Sequence, residues 1–246
     1  MGQGYKGRPR ADNSTATPQR RAYASPPMSA ALLARCPLFA VLGGDRLAEV
    51  AASARPVEAR RGQVVFDEGD EAGAVYVVVS GRVAIVKRAG EGARDSVVAL
   101  MEPGDVFGEM GLFDGGGRSG QARALDACRL LELPYPALRH ALEADPRALW
   151  AVVALLAGRL RATDETLADA MLLDVPGRTA KRLLELAGPD GRFSPSLTQE
   201  ELAGMIGASR ERVNKAIAGF VRLGWLEQRE RRYRILKRDQ LELRAR

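Results

Sequence analysis

Apolar residues change their spacing along this chain, and each change marks a different kind of element. Between Gly62 and Leu133 they come in short runs broken by glycine-rich or acidic turns. Val64–Phe66 precedes Asp67-Glu68-Gly69-Asp70, and Ala74–Val79 precedes Ser80-Gly81. Val83–Val86 follows, Ser96–Leu100 precedes Pro103-Gly104-Asp105, and Gln121–Ala127 and Leu130–Leu133 complete the set. Short strands at such close intervals predict a small antiparallel sandwich or barrel. A helical pattern begins near Pro136, with proline as the starter. From about Arg147 to Leu173 the spacing becomes that of one long helix. Val153, Leu156, Leu160, Thr163, Leu167 and Ala170 alternate steps of three and four along it. That is the seam of a two-stranded coiled coil and predicts a parallel homodimer. The same stripe would also suit packing on the chain's own β-domain, and the pattern alone leaves both open. Thr163 is the polar member of the seam. Asp174-Val175-Pro176-Gly177 ends the helix and reads as a hinge.

Beyond the hinge, Arg178–Leu186 reads as a helix and Gly188–Ser196 as a loop. Thr198-Gln199-Glu200-Glu201 is a capping box opening a helix that carries Leu202, Met205 and Ile206 inward. Gly207 allows a tight turn, and Ser209 can cap the next helix, whose buried face is Val213, Ile217 and Phe220. Arg210, Glu211, Asn214 and Lys215 project from its other face. Two short helices about a glycine turn make a helix-turn-helix. Its exposed side chains suit a major groove: arginine can donate twice to guanine, and glutamate can accept from cytosine. Lys215 and Asn214 can reach a base edge or a phosphate. Trp225–Gln228 then turns through Arg229-Glu230-Arg231 into Arg232–Lys237, a basic hairpin that reads as the wing of a winged helix.

Charge sharpens the division. Residues 1–30 hold five basic and one acidic side chain, residues 31–175 hold 16 and 21, and residues 176–246 hold 16 and 9. A net +7 C-terminal segment behind a net −5 middle suggests a sensor joined to a nucleic-acid reader. The first thirty residues, rich in Arg, Ser, Pro and Ala, read as a flexible basic tail. They show no apolar leader, and no run is long enough to span a bilayer. Two distant cysteines, Cys36 and Cys128, suit neither a disulfide framework nor a metal site, so a reduced, cytoplasmic setting is expected. With one histidine, His140, cupin-type metal catalysis lacks its ligands. No nucleophile elbow or Walker loop is present, so no enzyme, catalytic residue or metal is expected.

A ligand cassette remains. Phe107-Gly108-Glu109-Met110-Gly111-Leu112-Phe113 follows a strand and opens a short turn. Gly108 lets backbone amides approach a ligand, and Glu109 can accept from a sugar hydroxyl. Nine residues on, Arg118 and Ser119 offer a cation and a hydroxyl to one phosphate, with Gly115-Gly116-Gly117 linking the halves.

With these residues in view, the chain resembles the CRP–FNR family of bacterial transcription regulators, close to its cyclic-AMP-receptor branch. Residues 107–119 resemble the phosphate-binding cassette of that family. Residues 172–178 resemble its hinge and residues 198–217 its recognition motif, so the likeness spans roughly residues 35–246. It implies an α+β chain: a flexible tail over 1–30 and a cyclic-nucleotide-binding antiparallel β-roll over 31–145. A dimerisation helix and hinge over 146–175 and a winged helix-turn-helix over 176–246 follow. It further implies that Gly108, Glu109, Met110 and Gly111 surround the ribose of cyclic AMP, an effector rather than a cofactor. Arg118 and Ser119 would hold the cyclic phosphate, and Thr163 and Asp164 the adenine, the latter from the partner subunit. Asp164 stands where the family carries a small neutral polar residue, and Gly120 where it carries Ala or Thr. Thr198, Gln199, Ser209, Arg210, Glu211, Asn214 and Lys215 would face DNA, on a palindrome resembling TGTGA-N6-TCACA. Double-stranded DNA, a second copy of the chain and RNA polymerase are the partners implied. An iron–sulfur branch would need about four cysteines and a haem branch a histidine in the β-domain, and neither pattern is here. A regulator of this fold that binds DNA without cyclic AMP, or answers another effector, is the alternative.

Overall fold

A computed structural model describes residues 26–88, 95–193, 198–229 and 232–246. Two helices, α1 (Pro26–Leu33) and α2 (Gly44–Ser53), lead into eight strands. These are β1 (Arg55–Ala59), β2 (Val64–Phe66), β3 (Ala74–Ser80), β4 (Val83–Lys87), β5 (Ser96–Met101), β6 (Val106–Phe107), β7 (Gln121–Ala124) and β8 (Cys128–Pro134), with α3 (Met110–Asp114) between β6 and β7. Then come α4 (Tyr135–Glu143), α5 (Pro146–Leu172), α6 (Val175–Leu186), α7 (Gln199–Ile206), α8 (Arg210–Arg222), β9 (Leu226–Arg229), β10 (Arg232–Ile235) and α9 (Arg238–Arg244).

The eight strands form two antiparallel sheets, ordered β1-β8-β3-β6 and β2-β7-β4-β5. The apolar run in β3 is explained by burial on both faces. Ala74, Tyr76 and Val78 point into the core between the sheets, where they meet Val83, Phe107, Ala122 and Leu130. Val75 and Val77 point outward into a second core with Phe39, Val50, Leu131, Leu133 and Leu138, which α1, α2, α4 and the start of α5 cover. A third core, with Leu183, Leu202, Val213, Ile217, Phe220, Leu226 and Leu241, belongs to the C-terminal segment.

Helix α5 begins at a built cap. Pro146 occupies its first turn, and the Asp145 carboxylate accepts the Arg147 amide at 3.0 Å. Ala148 and Val152 are its buried residues, on the face turned to the sheets. Val153, Leu156, Leu160 and Leu167 are exposed in the single chain, Leu160 by 63%. The seam therefore does not pack on its own β-domain.

Several boundaries differ from the sequence reading. Pro26–Ala30 are helical, so only residues 1–25 of the expected tail lie outside the described residues. Asp174 caps α6 by accepting the Gly177 amide at 2.8 Å, and Val175-Pro176-Gly177 form that helix's first turn. The break between α5 and α6 shrinks to Leu173-Asp174. Strand β1 escapes notice because Arg55, Pro56 and Glu58 interrupt its alternation, and β6 is only two residues long. The centre of the expected wing, Glu230-Arg231, and the end of the expected loop, 194–197, lie outside the described residues. Among the described residues no helix is long and apolar enough to cross a membrane.

Hydrogen bonds from the Arg147 side chain and backbone hold the Asp145 carboxyl down from the ordinary 3.8 to about 2. A carboxyl depressed in the folded state stabilises it above its unfolded value, and that contribution disappears as pH falls through the folded value. Urea denaturation of the wild type should therefore show stability falling between about pH 4 and 2. Asp145→Asn should flatten that slope, and an unchanged slope would refute the cap's role.

Candidate functional site

The strand β6 and the helix α3 meet at Gly108-Glu109. Gly108 takes φ +77°, and a Cβ there would stand 2.5 Å from Arg118 Nη1, so a side chain is excluded by conformation and by space. Glu109 is 1% exposed and Arg118 is 7% exposed, although both carry ionisable heads. Such burial demands partners.

Arg118 meets part of that demand inside the β-roll. Its Nη1 donates to the Gly108 carbonyl at 2.7 Å and to the Tyr135 hydroxyl at 3.4 Å. Its guanidinium lies 4.1 Å from the centre of the Phe66 ring, with Tyr76 and Tyr135 further round. Tyr135 in turn donates to the same Gly108 carbonyl at 2.5 Å. Burial pushes the Tyr135 phenol above its ordinary value, which keeps it a hydroxyl donor. Glu109 is engaged from α5: Arg159 forms an ion pair with its Oε1 and donates to the Val106 carbonyl.

Each of the two buried groups keeps one atom with no partner, Glu109 Oε2 and Arg118 Nε. One lacks a donor and the other an acceptor. A sugar hydroxyl and a phosphate oxygen would supply them, at the separation built into the cassette. Ser119 lies beside them, its hydroxyl donating to Met110 Sδ at 3.2 Å.

These groups open onto a cleft of about 2280 Å³. Gly108, Glu109, Met110, Gly111, Arg118 and Ser119 line it, as does Thr163. The Thr163 hydroxyl donates to the Arg159 carbonyl at 2.9 Å, which leaves its lone pairs facing the cleft region. Asp164 is exposed on α5 and does not line this cleft of its own chain. Sequence reading missed Arg159, Tyr135 and Phe66. Arg159 could have been found, since it sits one helical turn before Thr163 on the same face.

The second candidate surface is the α7–α8 pair. Thr198 and Glu201 form the complete capping box, with Thr198 Oγ1 accepting the Glu201 amide at 3.1 Å and Glu201 Oε2 accepting the Thr198 amide at 2.7 Å. Ser209 accepts the Arg212 amide at 3.2 Å. Gln199 hydrogen-bonds to Tyr233. Thr198, Gln199 and Ser209 are thus engaged within the unit, while Arg210, Glu211 and Lys215 project into solvent. Asn214 keeps a buried Oδ1 without a partner. One inward assignment fails: Leu202 and Ile206 enter the C-terminal core, but Met205 packs on residues of the β-roll instead. Among the described residues there is no cluster of His, Cys, Asp and Glu able to hold a metal. Burial raises the thiol of Cys36 to about 11 and that of Cys128 above its ordinary value, so both stay protonated and unreactive.

Known proteins place these two surfaces in a context. Residues 56–145 match the model of the cyclic nucleotide-binding domain, and residues 177–244 match that of the Crp-like helix-turn-helix domain. A CRP-like cAMP-activated global transcriptional regulator of Mycobacterium tuberculosis is 38% identical over 222 residues, covering 87% of this chain and 99% of its own. The cAMP-activated global transcriptional regulator CRP of Escherichia coli is 34% identical over 160 residues, covering 62% and 76%. Among solved structures, the c-di-GMP responsive global regulator CLP of Xanthomonas campestris superimposes with TM-score 0.68 at 28% identity, covering 78% and 99%. FixK2 of Bradyrhizobium japonicum superimposes with TM-score 0.72 at 23% identity, covering 78% and 98%, and so shares the fold. The named relatives are transcription regulators rather than enzymes.

Replacing Gly108 by alanine would set a Cβ against Arg118 in a backbone region closed to it. Urea denaturation of Gly108→Ala should show a loss of about 1–3 kcal/mol. A variant as stable as the wild type would mean that Arg118 moves aside freely.

Proposed function

The chain belongs to the CRP–FNR family of transcriptional regulators, and on that premise we propose that it is a homodimeric, cyclic-AMP-responsive activator or repressor reading a TGTGA-N6-TCACA-like palindrome. The observation that carries the effector reading is the pair of buried, unpartnered atoms, Glu109 Oε2 and Arg118 Nε. In this reading Glu109 accepts from the ribose 2′-hydroxyl, the Gly108–Gly111 backbone surrounds the sugar, and Arg118 and Ser119 hold the cyclic phosphate. Thr163 offers its hydroxyl to adenine from the cleft side, and Asp164 reaches the base in the partner subunit. The exposed stripe Val153, Leu156, Leu160 and Leu167 supports dimerisation, because apolar residues at heptad spacing gain by covering one another. Arg210, Glu211 and Lys215 then enter the major groove, with Asn214 beside them and Thr198, Gln199 and Ser209 nearest the phosphates. RNA polymerase is the further partner of a regulator of this kind.

Mechanistically, the ligand must interact differently with two states to shift them. Arg159 supplies a route. It holds Glu109 and Val106 from the same helix that carries Thr163 and the seam, so a ligand that takes up Glu109 changes what α5 is tied to. A second reading, another nucleotide effector, is favoured by the cleft. Its 2280 Å³ exceeds the roughly 300–1,000 Å³ of an ordinary small-molecule site, and CLP is described as responsive to c-di-GMP.

Isothermal calorimetry of the purified protein with cyclic AMP, cyclic GMP and c-di-GMP separates the two readings. Cyclic AMP alone should bind, with a micromolar dissociation constant on the order of −8 kcal/mol. Arg118→Ala should abolish that heat while retaining the folded circular dichroism spectrum. Binding of only c-di-GMP would select the second reading, and undiminished cyclic AMP binding by Arg118→Ala would remove the phosphate role. On the DNA side, Glu211→Ala should cost about 1–3 kcal/mol at one base pair and relax selectivity there, measured by competition with operator variants. An equal loss on every sequence would reduce Glu211 to a backbone-contact role.

A further inference from the structure

Helix α7 is the first helix of the DNA-reading pair, yet one of its faces is turned to the β-roll. Met205 leaves the core of its own unit and joins Ala84, Val86, Val97, Leu100 and Leu125, side chains of β4, β5 and the end of β7. Next to it, Gly204 presses on β5: a Cβ at this position would lie 3.1 Å from Val97 Cγ2. A glycine inside a helix weakens it unless something needs the space, and here the neighbouring strand does. At the N-terminal end of the same helix, Glu201 Oε1 pairs with Arg61 Nη2 at 2.6 Å. Apolar plug, close approach and ion pair lie along one side of one helix. All three join residues far apart in sequence.

From this juxtaposition we infer that the β4–β5 face of the β-roll is a docking surface for α7 of the same chain, with Arg61, Gly204 and Met205 as positioning residues that restrain the DNA-reading unit in the ligand-free protein. The inference rests on the reading of α7–α8 as the DNA reader and adds the device that holds it back. Three features argue for restraint rather than support. The contacts occur in a chain with no ligand in its cleft, and in that state α5 is tied to the cradle through Arg159 and Glu109. Arg61 belongs to the Arg60–Gln63 turn, and its pairing with Glu201 brings that turn beside the N-terminal end of α7. That end carries Thr198 and Gln199 and is the natural approach for a DNA phosphate. Finally, the interface is small: one methionine, one glycine and one partly exposed ion pair. Contacts of this size can be broken by an effector of ordinary coupling strength.

Met205 lies outside the core formed by Leu202, Ile206, Val213 and Ile217, so it can be changed without opening that core. Fluorescence anisotropy of the full chain on a labelled TGTGA-N6-TCACA duplex, with and without cyclic AMP, reads the restraint. Met205→Asp and Arg61→Glu should each raise ligand-free DNA affinity by about 10-fold and shrink the enhancement by cyclic AMP by the same factor. Gly204→Leu, which wedges the two surfaces apart, should act in the same direction, and Met205→Leu should behave as wild type. Ligand-free affinity that is unchanged or lower in well-folded Met205→Asp and Arg61→Glu would overturn the proposal. Hydrogen exchange of the free protein tests the docking itself without DNA. Faster exchange of Ser96–Met101 in Met205→Asp is expected, and unchanged exchange sinks the contact. If the wild type binds no duplex under any condition, the DNA reading fails, while hydrogen exchange still decides whether the docking exists.

Discussion

The ion pair between Arg159 and Glu109 is the interaction on which the arrangement turns. A carboxylate 1% exposed cannot stay charged without a partner, and the partner comes from a helix fifty residues away in sequence. By also taking the Val106 carbonyl, Arg159 fastens α5 to both ends of the β6–α3 corner. The cradle and the long helix are therefore parts of one electrostatic unit. Removing either partner would leave a buried charge alone, which costs far more than the pair gains. The remaining open valences, Glu109 Oε2 and Arg118 Nε, are what a ligand would satisfy.

From α5 the connections run onward across a very short break. Lys181 of α6 pairs with Asp169 of α5 at 2.6 Å, and Arg178 donates to the Ala170 and Leu173 carbonyls at 3.0 and 3.3 Å, closing the end of α5. Asp174 caps α6 and is gripped by Arg244 from α9, so the last helix of the chain reaches back to the junction. The Gly177 amide and the Arg244 guanidinium hold the Asp174 carboxyl below the usual carboxylate range. Only Leu173-Asp174 separates the two helices. A shift in α5 is thus carried into α6 by cations bound to backbone carbonyls and carboxylates, groups with well-defined alternative partners rather than a compliant linker.

The C-terminal unit spends its polar residues unequally. Thr198, Glu201 and Ser209 are consumed in capping, because short helices leave amides that need acceptors. What remains outward on α8, Arg210, Glu211 and Lys215, is a mixed set of donors and one acceptor. A uniformly basic face would grip any phosphate backbone, whereas a mixed one distinguishes base edges.

The sequence by itself determined the elements whose signal is local. The strands from Val64 to Leu133 were legible because glycine and acidic turns punctuate them, and α5, α7 and α8 because apolar spacing and caps act within a few residues. The cassette Gly108–Ser119 was legible for the same reason, being thirteen contiguous residues from Phe107. Strand β1 was not, since Arg55, Pro56 and Glu58 hide a strand that only pairing with β8 stabilises. Nor were α1, α2 and α9, short helices whose apolar residues make sense only against the cores they cover. Tertiary structure alone decided that Arg159 and Tyr135 would complete the cradle, that the α5 seam faces outward, and that Met205 turns away from its own unit toward β5. In each case the partner lies tens to more than a hundred residues off. Spacing along a chain encodes which face a residue occupies, but not what that face will meet.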